Sequence, residues 1–150
     1  MHPTVRLATI TDIAPWLDIA REVEPLFGAM PMFDVTLRRN IAKGTALCSE
    51  TEAGGLSGGL LLGGAAPDHW IRWLAVRRAA RRQGAGAALV ADAVSRCFAP
   101  CTISLATFGA DNLEGRPARL LYRSFGFAAG EMLPRGPEGG TRQRFTLVRP

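Results

Sequence analysis

Residues 70–107 read as a strand, a basic loop with two glycines, a helix and a second strand, and this order limits the folds open to the chain. WIRWLAV and TISLATF are short and apolar, with the β-branched and aromatic residues typical of strands. A helix is predicted from Ala85 to Phe98, because Leu89, Ala93 and Cys97 share one face and Pro100 blocks its continuation. A strand–helix–strand unit indicates an α/β or α+β fold with a mixed sheet.

The segments on either side of this unit add further strands and helices. VRLAT is a strand, and the helix after it is expected to end at Pro25 and Gly28. Asp34 is expected to cap a second helix, VTLRRNIAK, which Gly44 ends. TALCSE, GLSGGLLLGG, FAAGEML and RQRFTLV are further strands, and PARLLYRSF is a further helix. No linker or repeat divides the chain, so we expect one α/β (α+β) domain, residues 1–150.

The chain is basic, with a formal net charge of +5 and a pI of about 10.1. Lys43 is the only lysine, and all other basic residues of the 18 are arginine, a bias that coding composition alone can produce. The local density of arginine needs another explanation. Four arginines stand immediately before Gly84 and Gly86: Arg77, Arg78, Arg81 and Arg82. Such a cluster favours an anionic partner.

The glycines that follow the arginines suit a phosphate-binding loop. Gly84 and Gly86 let backbone N–H groups approach a ligand closely, and the first N–H groups of the next helix have no partner within it. A helix N-terminus also carries the positive end of the dipole. A dinucleotide fold would want a small residue where Leu89 stands and an acidic one near Ala106. A P-loop would want Gly-Lys-Ser/Thr, and the sequence has none.

LAVRRAARRQGAGAAL resembles the acyl-CoA signature of the GNAT acetyltransferase superfamily, in which Arg or Gln, two residues, Gly, one residue and Gly or Ala follow a strand. Arg81, Gly84 and Gly86 stand at the three defining positions. VRLATITDIAPWL is similar to the family's opening strand and helix, so the resemblance spans nearly the whole chain. PARLLYRSFGF resembles the family's second signature, through Ala118, Leu121, Tyr122, Gly126 and Phe127.

The resemblance implies a mixed, mostly antiparallel sheet of about six to seven strands with about four flanking helices. The sheet would splay open between the fourth strand, WIRWLAV, and the fifth, TISLATF, and acetyl-CoA would lie in the splay as cosubstrate, without a metal. Its pantetheine arm would pair with the fourth strand and its pyrophosphate would sit on the loop amides. The implied cofactor residues are Leu74, Ala75, Val76, Arg81, Arg82, Gln83, Gly84, Ala85, Gly86, Ala87 and Asn112.

The resemblance also implies direct transfer of the acetyl group to an amine. Tyr122, the only tyrosine, would protonate the departing thiolate, and backbone N–H groups near Leu74 would polarise the thioester carbonyl. The structural alternative for Tyr122 is a packed aromatic on an amphipathic helix. Family members often carry Asn seven residues before the tyrosine, but Gly115 stands there and Asn112 lies in a lengthened loop. No general base is visible; His69, Asp68, Glu22, Glu24 and a water chain are the candidates.

The fourth strand carries an arginine in its middle. Strict alternation would place Trp70, Arg72 and Leu74 on one face and Ile71, Trp73 and Ala75 on the other. Because an unpaired buried arginine is costly, we expect the face of Arg72 to open to water. The resemblance makes that the acceptor face, so Trp70 and Arg72 become substrate residues that favour acceptors with a carboxylate or phosphate. The alternative is that Arg72 pairs with a neighbouring acidic side chain such as Glu22 or Glu24.

Other features of the sequence bear on location and partners. The N-terminus shows no secretory signal and no apolar run is long enough to span a membrane, so we expect a cytoplasmic protein. Cys48, Cys97 and Cys101 are then reduced thiols without zinc spacing. A homodimer is compatible with the sequence.

Two other functions compete with acetyl transfer. One is a nucleic-acid-binding domain that uses the arginines, but the sequence lacks a recognition motif for nucleic acid. The other is a non-catalytic regulator that binds acyl-CoA.

Overall fold

The computed structural model describes residues 3–150 and contains a seven-stranded sheet. Its strands are β1 (Thr4–Leu7), β2 (Ala46–Glu50), β3 (Leu56–Ala65), β4 (Asp68–Val76), β5 (Cys101–Phe108), β6 (Ala128–Leu133) and β7 (Arg142–Arg149). Their order across the sheet is β1-β2-β3-β4-β5-β7-β6. Only β4 and β5 pair in parallel, and all other neighbours are antiparallel. The mixed, mostly antiparallel sheet expected from the sequence is confirmed.

Helices cover both faces of the sheet. In the part of the chain that the structure describes, they are α1 (Ile13–Phe27), α2 (Phe33–Lys43), α3 (Ala85–Ser95) and α4 (Arg116–Ser124). Ile19 of α1 and Leu37 of α2 belong to one buried apolar cluster. Leu89 of α3 and Tyr122 of α4 belong to the other. We call the two sides of the sheet the α1–α2 face and the α3–α4 face.

The ends of α1, α2 and α3 differ in part from the sequence prediction. Helix α3 ends at Ser95, short of the predicted Phe98. Pro25 lies inside α1, which continues to Phe27, so the prediction that this proline ends the helix is wrong. A proline in the last turn removes one intrahelical N–H, and the amide of Gly28 still closes the helix on Glu24 at 2.7 Å. Asp34 lies within the first turn of α2 rather than at its cap. Gly44 ends α2 in the left-handed conformation, as expected.

Arg72 is the extra residue of a β-bulge in β4. Ile71 and Trp73 pair with consecutive residues of β3, which leaves Arg72 without a partner there. A bulge interrupts the alternation of side chains. Ile71 accordingly packs in the cluster on the α3–α4 face, whereas Trp73 and Ala75 pack in the cluster on the α1–α2 face. The prediction that these three share one face is therefore wrong for Ile71, and the prediction that Leu74 shares the face of Arg72 is also wrong, since Leu74 packs on the α3–α4 face.

The splay predicted between the fourth and fifth strands is present. β4 and β5 pair from Asp68 and Thr102 to Ile71 and Leu105, and they have no paired residues beyond that point. On their outer sides both strands stay paired, β4 with β3 and β5 with β7, to the ends of the sheet. The sheet therefore opens between its two central strands. None of the helices in residues 3–150 combines the length and apolarity that crossing a membrane requires.

Candidate active site

The splay leaves a cleft whose β4 wall is an unpaired strand edge. Leu74, Ala75 and Val76 pair with β3 on their other side. In an antiparallel ladder, alternate residues direct their N–H and C=O groups away from the partner strand. Those groups face the cleft, where an extended ligand can pair with them as an added strand would. Leu74 and Val76 are half-buried, and Leu74 packs against the cluster on the α3–α4 face.

A run of free backbone amides lies beside this edge, where β4 leads into α3. Within residues 3–150, the N–H groups from Arg82 to Ala87 donate to no other group. Arg82 has φ 66° and Gly84 has φ 85°, so two left-handed residues turn the loop into the helix. The run ends in the first turn of α3, where the dipole adds positive charge. A concave series of N–H groups at a helix N-terminus is an anion site.

The two glycines of the loop are required for different reasons. Gly84 occupies the left-handed conformation, and a Cβ built there would lie 3.8 Å from the nearest heavy atom, Cδ of Pro3. Backbone conformation, not space, therefore favours glycine at this position. Gly86 is helical, but a Cβ there would lie 3.2 Å from Cδ2 of Leu121 and 3.8 Å from Cγ2 of Val76. Gly86 thus allows α3 and α4 to approach closely at the mouth of the cleft.

The four clustered arginines differ in the contacts of their side chains. Arg77 donates from Nε to the carbonyl of Leu56 at 2.8 Å and from Nη2 to the carbonyl of Pro15 at 3.1 Å, which is a structural role. The backbone amide of Arg78 donates to Glu22 at 2.8 Å. Arg81 and Arg82 are exposed, and their side chains make no hydrogen bond within the described range, 3–150. Arg78 is likewise exposed and its guanidinium has no partner in that range, so the side chains of Arg78, Arg81 and Arg82 are free to contact an anion.

Tyr122 lies on α4 and is buried, with 6% of its surface exposed. Its ring packs edge-on against Phe127 and Phe145, with centroids 5.8 and 6.4 Å apart. Burial raises the pKa of the Tyr122 hydroxyl above its ordinary value, so the hydroxyl keeps its proton at neutral pH. The residue is therefore a packed aromatic with a protonated hydroxyl, and its role as a proton donor stays a prediction.

Arg119 fixes α4 against the cleft, a role that the sequence did not reveal. Its Nη1 donates to the carbonyl of Phe108 at 2.9 Å and to Oε1 of Gln143 at 2.8 Å. Its guanidinium also lies over the ring of Phe145, 4.9 Å from the centroid. Phe108 is the last residue of β5, so this contact holds the helix that carries Tyr122 to the diverging strand. Burial lowers the pKa of Arg119, and the charge of Arg123 lowers it further.

Asn112 lies in the loop between β5 and α4, where it caps a short helical turn, Leu113–Gly115. Its Oδ1 accepts a hydrogen bond from the amide of Glu114 at 3.0 Å. The lengthened loop thus uses this side-chain oxygen for its own structure. The structure gives no contact between Asn112 and the amide run.

Trp70 and Arg72 lie on the α1–α2 face of the sheet where the strands diverge. The guanidinium carbon of Arg72 lies over the Trp70 ring, 4.9 Å from the centroid, and the side chain is exposed. Among the described residues Arg72 forms no ion pair, so the alternative pairing with Glu22 or Glu24 is not found. Arg144 of β7 lies over the same ring at 4.8 Å. Sequence reasoning missed Arg144, because only strand order brings β7 beside β5.

An aromatic wall closes the other end of this side of the cleft. The ring of Phe27, at the end of α1, lies 6.0 Å from Trp73 and 6.0 Å from Phe108. Arg142 lies over the Phe108 ring at 4.6 Å and donates to the carbonyl of Phe27 at 3.3 Å. The cleft therefore has an apolar end under α1 and a cationic end at Arg72.

Two of the candidate bases are already engaged in other contacts. Asp68 accepts from the hydroxyl of Thr102 at 2.9 Å, and Glu22 accepts from the amide of Arg78. His69 pairs with Ile103 at the closed end of the β4–β5 pairing. Glu24 lines a groove between α1 and α2 together with Met30 and Phe33. Residues 3–150 contain no group of three acidic, histidine or cysteine side chains placed to hold a metal ion.

Solved structures share this fold across the whole chain. Ard1 from Thermoplasma volcanium is 23% identical with a TM-score of 0.81, covering 99% of each chain. The phosphinothricin acetyltransferase from Sinorhizobium meliloti, solved with acetyl-CoA, is 18% identical with a TM-score of 0.78, covering 99% of this chain and 89% of its own. YncA from Salmonella typhimurium, a further acetyl-CoA complex, is 17% identical with a TM-score of 0.77, covering 99% and 94%. These likenesses establish the fold.

The sequence itself identifies the family. No curated protein matches the chain. The sequence model of the acetyltransferase (GNAT) domain matches residues 43–129, which is more than half of the chain. The matched region runs from the end of α2 into β6 and includes the amide run, the unpaired edge of β4 and the helix that carries Tyr122. The chain belongs to the GNAT acetyltransferase family.

Proposed function

We propose that this protein is an N-acetyltransferase that moves an acetyl group from acetyl-CoA directly to a primary amine. One observation carries the proposal: the six consecutive amides from Arg82 to Ala87 have no partner within residues 3–150 and lie beside the unpaired edge of β4. The free amides suit the pyrophosphate of acetyl-CoA, and the unpaired strand edge suits its pantetheine arm. The acetyl-CoA complexes of two proteins with the same fold support the choice of ligand.

In this proposal the loop and the strand hold different parts of the cosubstrate. The pyrophosphate would accept hydrogen bonds from the amides of Arg82, Gln83, Gly84, Ala85, Gly86 and Ala87. The guanidinium groups of Arg81 and Arg82 are exposed at the same loop and would add charge-assisted hydrogen bonds. The pantetheine arm would pair with Leu74, Ala75 and Val76. Asn112 would take part only through its amide nitrogen, because its oxygen caps a turn.

The chemistry is acyl transfer from a thioester, which supplies an activated carbonyl carbon. The amine nitrogen bonds to that carbon, the carbon–sulfur bond breaks, and the proton that the amine loses passes to water. A backbone N–H near Leu74 would stabilise the negative charge on the carbonyl oxygen. Tyr122 keeps its proton at neutral pH because burial raises the pKa of the hydroxyl. It would donate that proton to the departing sulfur and recover one from water. Trp70 and Arg72, which lie on the α1–α2 face of the sheet, would contact the acceptor from the side opposite to Tyr122.

The test measures release of free thiol from acetyl-CoA over a panel of amines, together with calorimetric binding of acetyl-CoA. We expect binding, and thiol release that depends on the amine. Gly84→Val should weaken binding about tenfold or more, because valine cannot adopt the left-handed conformation of the loop without strain. Gly44→Val is the matched control, since Gly44 has φ +70° and open space around it but lies at the end of α2.

Two outcomes would contradict the proposal. If acetyl-CoA does not bind, or binds equally well to Gly84→Val, the amide run is not the cofactor site. If acetyl-CoA binds but no amine of the panel releases thiol, the protein is a non-catalytic binder of the coenzyme.

A further inference from the structure

We propose that Arg72 and Arg144 form a clamp for an anionic group on the acceptor, so that the preferred substrate is a small primary amine bearing a carboxylate or phosphonate. The inference deepens the proposed function by naming the substrate class, and it rests on that function only for the transfer step. Binding of the acceptor can be measured without any transfer.

The bulge in β4 determines where Arg72 points. In a regular strand the residue after Ile71 would lie on the opposite face and pair with β3, but the bulge leaves Arg72 as an unpaired extra residue. Bulges re-aim side chains and occur beside active sites. Arg72 stands at the first position of β4 that no longer pairs with β5. Its backbone therefore lies at the point where the cleft begins, and its side chain lies against Gly63 of β3, where a Cβ would come within 2.7 Å of the Arg72 Nε.

Arg144 reaches the same point from the other side. Arg144 pairs with Ala106 of β5, and Ala106 is the first residue of β5 beyond the parallel pairing. Ala106 is exposed and has only a methyl group, so the sheet beside Arg144 is open. The guanidinium carbons of Arg72 and Arg144 lie 4.9 and 4.8 Å from the centroid of the Trp70 ring. The two guanidinium carbons are thus within about 10 Å of each other. This is the Debye length at 0.1 M salt, so dissolved ions do not fully screen one charge from the other.

Little negative charge compensates this pair. Within the described chain Arg72 has no carboxylate partner, and Arg144 meets only Glu131, at 4.0 Å, which is 62% exposed. The Nη2 of Arg144 donates to Oγ of Ser104 at 3.1 Å, which orients the guanidinium along the sheet. Ser104 in turn is 3.2 Å from Oγ1 of Thr146 and is almost fully buried. Two largely uncompensated guanidinium groups beside one indole ring are suited to bind an oxyanion with charge-assisted hydrogen bonds.

The position of the clamp limits the size of the acceptor. Arg72 is two residues from Leu74, whose backbone is proposed to face the thioester carbonyl. An anionic group held at Arg72 and an amine at that carbonyl therefore belong to one molecule only if a few bonds separate them. Amino acids and aminoalkylphosphonates meet this requirement, whereas polyamines would be repelled.

The experiment compares acids with their uncharged amides. Glycine, β-alanine and 4-aminobutyrate, their three amides, 2-aminoethylphosphonate and 1,4-diaminobutane are each titrated into protein saturated with CoA, and each is also assayed for thiol release from acetyl-CoA. We expect the acids or the phosphonate to bind about tenfold or more tightly than the amides. At neutral pH the amine of an amide is less protonated than that of the acid, so the amides are intrinsically the more reactive nucleophiles. Faster thiol release with the acids would therefore come from binding.

Variants locate the effect in the structure. Arg72→Ala and Arg144→Ala should each weaken anion binding by about 10- to 100-fold and leave the amides unchanged. Replacing both arginines with glutamate should favour 1,4-diaminobutane. Arg39→Glu is the matched control, because Arg39 is exposed on α2 and has no hydrogen-bond or ion-pair partner among the described residues. Unchanged acetyl-CoA binding in every variant shows that each one folds.

The result also separates this inference from the proposed function. Arginine-dependent binding of the acids without thiol release would support the clamp and contradict the transfer. Thiol release with equal preference for acids and amides would support the transfer and overturn the clamp. Equal losses on acids and amides in both alanine variants would likewise overturn it, since the arginines would then have only a structural role.

Discussion

The guanidinium of Arg142 donates to both carboxylate oxygens of Glu138, at 2.7 and 3.0 Å. The contact closes the loop between β6 and β7 on itself. Arg142 also donates to the carbonyl of Phe27 at the end of α1 and lies over the ring of Phe108. One ion pair therefore ties the loop to the apolar end of the cleft.

Replacing Glu138 with glutamine should destabilise the fold by about 1 kcal/mol at pH 7, the scale of a charge-assisted hydrogen bond that is partly exposed. The Arg142 hydrogen bonds lower the pKa of Glu138 below its ordinary 4.5. A depressed pKa contributes stability above the unfolded value, and that stability is lost as the pH falls through the folded value. Urea unfolding should therefore show the gap between wild type and Glu138→Gln closing below pH 4.5. Glu52→Gln is the control, and a gap independent of pH would contradict the assignment.

Gly86 and Leu121 should be energetically coupled. A Cβ at Gly86 would lie 3.2 Å from Cδ2 of Leu121, so Gly86→Ala should cost about 1–3 kcal/mol through overpacking. Leu121→Ala in the same chain should recover part of that cost. Gly84→Ala should show no such recovery, because strain at φ +85° does not depend on Leu121. A double-mutant cycle measures the coupling, and a value near zero for Gly86 would contradict the close approach of the helices.

The sequence predicted the fold because its local signals agree with each other. The strand–helix–strand unit, the loop glycines and the second signature all indicate the same sheet, and the splay between WIRWLAV and TISLATF is where they place it. The free amides also follow from residue types in that order. These features depend on neighbours in the chain, so the sequence contains enough to predict them.

The errors arise where distant segments meet. A bulge at Arg72 leaves no mark in the residue pattern, because it depends on how β3 and β4 are registered. Arg77 was counted with the phosphate cluster, yet its partners are carbonyls of Leu56 and Pro15. Arg144 is 72 positions from Arg72 in the sequence, and only the order β4-β5-β7 brings the two together.

Tyr122→Phe should lower kcat by about 10²-fold, the low end for acid catalysis, and leave the affinity for acetyl-CoA unchanged. The ring packing against Phe127 and Phe145 is kept, so the melting temperature should change little. Phe127→Leu is the packing control: it should lower the melting temperature while kcat per folded molecule stays near wild type. Full activity in Tyr122→Phe would exclude the hydroxyl as the proton donor.

Asp12 should contribute to stability in a pH-dependent way. Its carboxylate is 8% exposed and accepts from Arg6 at 2.8 and 2.9 Å and from the amide of Thr9 at 2.7 Å. The Arg6 hydrogen bonds lower the pKa of Asp12, so the stabilisation is present above the ordinary value of 3.8 and is lost as the pH falls through the folded value. Asp12→Asn should cost about 2 kcal/mol at pH 7. Asp18→Asn, which breaks an exposed pair with Arg21, should cost under about 0.5 kcal/mol. Equal losses in the two variants would contradict the assignment.

The most direct measurement compares the affinity of the protein for acetyl-CoA with that for acetyl-pantetheine, which has the same thioester and arm but no pyrophosphate or nucleotide. If the amides from Arg82 to Ala87 hold the pyrophosphate, acetyl-CoA should bind about 100-fold more tightly or better, as expected for several charge-assisted hydrogen bonds. The advantage should shrink in Gly84→Val and persist in Gly44→Val. Equal affinity of the wild-type protein for the two compounds would contradict the central claim that this loop is a pyrophosphate site.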